Sequence, residues 1–85
     1  MDNDKLQKIH AAVEPGITWN EMDTGSRQNW EDGITAAVQH NPADPALAAI
    51  EAYEILNCAS FGLADEEMQG KWVTAFESVW ATSQN

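Results

Sequence analysis

Leu6, Ile9, His10 and Val13 fall at i, i+3, i+4 and i+7, the spacing that lines one face of an α-helix. The first stretch therefore reads as a short amphipathic helix. Glu14-Pro15-Gly16 ends it, because the residue before a proline is pushed out of the α region. Thr18 stands three residues before Glu21, which is the capping-box spacing, so a single turn is predicted there. Asp23-Thr24-Gly25-Ser26 favours a turn and a fresh N-cap. From it Trp30, Ile34, Ala37 and Val38 predict a second, longer helix closed by His40-Asn41-Pro42. Gly33 inside that helix costs on the order of 1 kcal/mol relative to alanine, a cost that close approach by another helix would offset.

Asp44-Pro45 opens a third helix, with an acid at the N-cap and proline at the first helical position. The run PALAAIEAYEILNCASFG is apolar around most of its circumference and leaves Glu51 and Glu54 as a narrow wet face, as a central helix with several neighbours requires. Cys58 in this run reads as a buried small hydrophobe and Gly62 as a left-handed C-cap. The last helix begins near Ala64, with Asp65, Glu66 and Glu67 in its first turn. Met68, Trp72, Phe76 and Val79 form one stripe on it, and Val73 with Trp80 a second line beside it. Together the two lines span about 140°, enough for two neighbours or for one neighbour and a partner chain. The tail from about 81 to 85 is expected to fray. No alternating valine, isoleucine and threonine run predicts a strand. The expected fold is all-α, a bundle of four main helices in one domain spanning 1–85.

Sliding the chain on itself by 42 residues pairs Asp23 with Asp65, Trp30 with Trp72, Trp19 with Phe61, Ile34 with Phe76 and Val38 with Trp80. With one residue inserted, the upstream helices correspond too, Val13 matching Leu56. Such a duplication would make the bundle two pseudo-repeated helix pairs.

Composition narrows the function classes. Fourteen acids face four Lys and Arg, for a formal charge of −10. Nucleic-acid backbones are bound by clustered cations, so direct nucleic-acid binding is excluded as an expectation, while a basic protein surface would be attracted. A single cysteine allows no internal disulfide, and neither a signal segment nor a membrane span is visible, so the expected location is the cytoplasm. His10, His40 and Cys58 are single and far apart, unlike the close pairs a metal site uses. Glu51 and Glu54 lack the Glu-x-x-His partners of a di-iron bundle. No nucleophile motif appears either, and the chain reads as a non-enzyme without cofactor or metal.

The segment W-x-x-M-D followed by R-x-x-W and a small-residue helix, Trp19 to Val38, resembles small acidic helical proteins of phages and mobile elements. The resemblance implies an accessory role of the anti-CRISPR or anti-restriction kind. On this reading the protein is an acidic binding module that occupies a basic, nucleic-acid-binding surface of a host protein. Its candidate contacts are Trp19, Glu21, Asp23, Glu31, Asp32, Glu51, Glu54, Asp65, Glu66 and Glu67. The alternative is a structural module that forms a homodimer through Val73 and Trp80, without inhibitory role. Salt-dependent binding to a basic partner supports the first reading, and a change in size on Trp80→Asp the second; whether Trp19, which precedes a helix, is buried is the open question within the first.

Overall fold

Four α-helices and two short 3-10 helices make up a computed structural model that describes residues 3–83, with side chains from Asp4 to Val79. Helix α1 covers Asn3–Val13, α2 Thr24–His40, α3 Pro45–Asn57 and α4 Glu66–Ser83; the 3-10 helices η1 (Trp19–Glu21) and η2 (Phe61–Leu63) precede α2 and α4. Among the described residues there is no strand.

The helix starts follow from their caps. The Asp23 carboxylate accepts from the Ser26 N–H at 2.7 Å and that of Asp65 from the Met68 N–H at 2.8 Å. Asp44 accepts from Ala46 and Leu47 at 3.0 and 3.2 Å, with Pro45 at the first helical position. Each carboxylate satisfies amides that have no partner inside the helix. The capping box expected at Thr18 and Glu21 does not form: the Thr18 carbonyl, not its hydroxyl, receives the Glu21 N–H at 3.1 Å. A 3-10 turn closes its ring through the backbone, which leaves the hydroxyl without that task.

The end of α3 also departs from expectation. It stops at Asn57, and Cys58 rather than Gly62 takes the left-handed position, at φ 51°. Asn57 Nδ2 donates to the Tyr53 carbonyl at 3.0 Å, which serves an orphan acceptor of the last turn. Cys58 is consequently exposed instead of buried, and Gly62 lies within η2.

Helix α2 packs along α3, α3 along α4, and α1 along α4, whereas α1 and α2 meet over a short stretch. Gly33 lies against Ile55 and Leu56 while His40 reaches Glu51, so α2 and α3 run antiparallel. A Cβ on Gly33 would stand 3.0 Å from Leu56 Cδ2, which is the close approach that explains the glycine. The core draws on all four helices: Leu6, Ile9 and Val13; Ile34 and Ala37; Ala48, Ala49 and Ala52; Trp72, Ala75, Phe76 and Val79.

The two halves repeat one another in the backbone bonds of their 3-10 turns. Glu21 N–H to Thr18 and Met22 N–H to Trp19, at 3.1 and 3.2 Å, match Leu63 N–H to Ser60 and Ala64 N–H to Phe61, at 3.1 and 3.0 Å. The aromatic contacts repeat as well. His10 meets Trp19 and Trp30 edge-on at 5.5 and 4.9 Å, and Tyr53 meets Phe61 and Trp72 edge-on at 5.4 Å each. Trp30 and Trp72, which correspond to one another, stack at 5.7 Å where the halves meet. The arrangement is two pseudo-equivalent helix pairs.

Candidate interaction site

The hairpin topology collects groups that are scattered in sequence. The last turn of α1, both 3-10 helices, the first turns of α2 and α4 and the last turn of α3 share one end of the bundle. Glu14, Glu21, Asp23, Glu54, Asp65, Glu66 and Glu67 therefore lie at that end, all exposed. Glu21, Glu54 and Glu66 have no ion-pair partner among the described residues, and Lys71 approaches Glu67 only to 3.9 Å. Two helix N-termini at this end offset part of the negative field. Asp23 shows the effect: the Ser26 amide, then the Ser26 hydroxyl, with help from Arg27, hold its carboxyl below the usual range.

Of the other candidates, Glu31, Asp32, Glu51 and Val73 are not part of this cluster, and Glu54 within it has a structural task. Glu31 and Asp32 are exposed farther along α2, where Asp32 accepts from Gln28 at 2.9 Å. Glu51 is half-buried and its Oε2 lies 2.7 Å from His40 Nδ1, so it ties α3 to the end of α2. Glu54 accepts the Phe61 N–H at 3.0 Å and thereby holds η2 against α3. Val73 is half-buried against the core, and the Trp80 side chain lies outside the described residues.

Trp19 is half-buried. It packs edge-on with His10 and lines a groove of about 340 Å³ with Gln7, Glu14 and Ile17. A second groove of about 210 Å³ adjoins it and shares His10, Glu14 and Ile17, with Met22 and Trp30 on its other side. His10 is 2 % exposed. Burial lowers its pKa below the ordinary value near 6.5, and the Glu14 carboxylate opposes that shift without reversing it. Ile17 is half in solvent, as are Leu47 and Ile55, and Leu63 is almost fully exposed.

Sequence reasoning placed His10 in the packing of α1 but did not see the groove above it. The available signal was the repeat, which sets His10 opposite Tyr53 at an offset of one residue more than that of the tryptophans. Among the described residues no group of three or more His, Cys, Asp or Glu could hold a metal ion. No described helix is long and apolar enough to cross a membrane. Compared with known protein families, with curated proteins and with solved structures, the chain shows no match.

Proposed function

We propose that the protein is an acidic binding module that engages a basic surface of a host protein, in the manner of a phage inhibitor that covers a nucleic-acid-binding site. Such a target is met in the cytoplasm. The supporting observation is the collection of exposed carboxylates at one end of the bundle, beside the half-buried Trp19 and the exposed Ile17. Carboxylates around an aromatic and aliphatic anchor match the make-up of a protein interface, where the charges steer encounter and the anchor supplies most of the affinity. The charge speaks against direct contact with nucleic acid.

The test is binding, measured by biolayer interferometry, to a panel of basic nucleic-acid-binding enzymes from bacterial hosts. Affinity for the true partner should fall steeply between about 0.05 M and about 0.5 M salt, and nucleic acid should compete. Replacing Glu21, Glu66 and Glu67 together by glutamine should slow association more than it speeds dissociation. Affinity that ignores salt, or that survives the triple replacement unchanged, overturns the reading.

A further inference from the structure

The two halves are alike in backbone and aromatic contacts, and for that reason the place where they differ is informative. In the second half η2 is locked in position. Glu54 accepts the Phe61 N–H at 3.0 Å, and Gln69 Nε2 donates to the Phe61 and Ala64 carbonyls at 3.1 and 3.0 Å. The corresponding positions in the first half are Ala11 and Arg27, which lie at the same offsets that relate His10 to Tyr53 and Trp30 to Trp72. Alanine has no acceptor for the Trp19 amide. Arginine replaces the neutral amide at the other position.

The connection is also longer on this side, running Glu14 to Thr18 against Cys58 to Ser60. Helix α1 correspondingly touches α2 over a short stretch where α3 and α4 pack along their length. The first half thus lacks the hydrogen bonds that hold η2 in the second, and a double groove lies above its His10. Its lining has a definite chemistry. Trp19 and Trp30 supply aromatic surface, Ile17 an aliphatic edge and Glu14 an exposed carboxylate. Glu21 and Asp23 stand on the neighbouring turn. Aromatic rings beside a carboxylate attract a cation that carries an apolar stem, because the ring faces and the acid act on the charge while the stem covers apolar surface.

We propose that the double groove between α1, η1 and the first turns of α2, floored by His10 and walled by Trp19 on one side and Trp30 on the other with Glu14 at its rim, takes the cationic side chain of an arginine or lysine on a basic partner protein. This rests on the reading of the protein as a binder of basic surfaces, and it assigns the anchor point of that contact.

The groove can be tested apart from any partner. Two-dimensional proton–nitrogen NMR spectra of the full chain would follow titration with N-acetyl-arginine amide and N-acetyl-lysine amide, with N-acetyl-citrulline amide as the neutral control. The indole N–H signals of Trp19 and Trp30 should move with one or both cationic ligands and stay with citrulline. Glu14→Gln should weaken binding by up to about fivefold, the upper end for an exposed ion pair. The pair Ala11→Gln with Arg27→Gln supplies the two hydrogen-bonding partners that hold the second half, without adding a carboxylate to the groove, and should abolish the shifts while raising the unfolding temperature. Absent shifts, equal shifts with citrulline, or full binding by the locked variant each overturn the groove as the cation site. Where salt-sensitive binding to a basic protein persists after such a result, the groove has failed and the broader reading has not.

Discussion

Gly33 and Gly70 are both helical glycines, and the space around them assigns them opposite roles. Nothing lies within 4 Å of a Cβ built on Gly70, whereas one built on Gly33 meets Leu56 at 3.0 Å. Gly70→Ala should therefore stabilise the fold by up to about 1 kcal/mol, the helix-propensity gain. Gly33→Ala should forfeit that gain, since Leu56 and Ile55 have to yield; chemical denaturation of the two variants compares them directly. His10 carries a pH dependence of its own. Its native pKa is depressed, so the neutral ring is shared by both states above about pH 6.5, and below that the unfolded chain binds a proton the native state resists. Stability from this source is complete above the unfolded value and is lost as pH falls through the native one. The denaturation midpoint of the wild type should drop further than that of His10→Tyr between about pH 7.5 and about pH 5. An identical pH response in both would show that His10 is not the group responsible.

At the scale of elements, each half uses the same device, a 3-10 helix followed by a capping aspartate, to start its long helix. Asp65→Ala should cost about 1 kcal/mol by leaving the Met68 amide without its acceptor, and Asp65→Asn should recover most of it. Thermal unfolding monitored by circular dichroism distinguishes the two. The His40–Glu51 contact links α2 to α3, yet it lies in solvent-accessible surroundings and is worth at most about 1 kcal/mol. The α2–α3 pairing depends instead on the close approach of Gly33 to Ile55 and Leu56 and on the apolar core to which both helices contribute.

Across the whole molecule, the extended packing of the first half is against the second: α1 lies on α4 and α2 on α3. A hairpin of α1 and α2 alone would leave Leu6, Ile9 and Ile34 without most of their neighbours. Separate chains covering 1–42 and 43–85 should accordingly be largely unfolded alone and helical when mixed. Equimolar mixing, followed by circular dichroism and size-exclusion chromatography, measures this; a stably folded 1–42 fragment would contradict it. Both tryptophans at the junction, Trp30 and Trp72, belong to corresponding positions, so the mixed fragments should also form their stack.

Helix positions, their N-caps and the core stripe of α1 were legible in the chain, because they depend on backbone sterics and on side chains within one or two turns. The repeat was legible in outline through Asp23 with Asp65 and Trp30 with Trp72. The fate of Cys58, the unformed capping box at Thr18 and the half-burial of Trp19 were not: the first turns on where α3 stops, the second on a 3-10 turn that closes through its backbone, and the third on how the helices pack. Packing of that kind brings in contacts between residues distant along the chain, such as Glu54 and Gln69 with Phe61 in the second half. Tertiary structure alone decided where the groove above His10 lies and gathered acids scattered along the chain at a single end, because helix packing brings together residues distant in sequence.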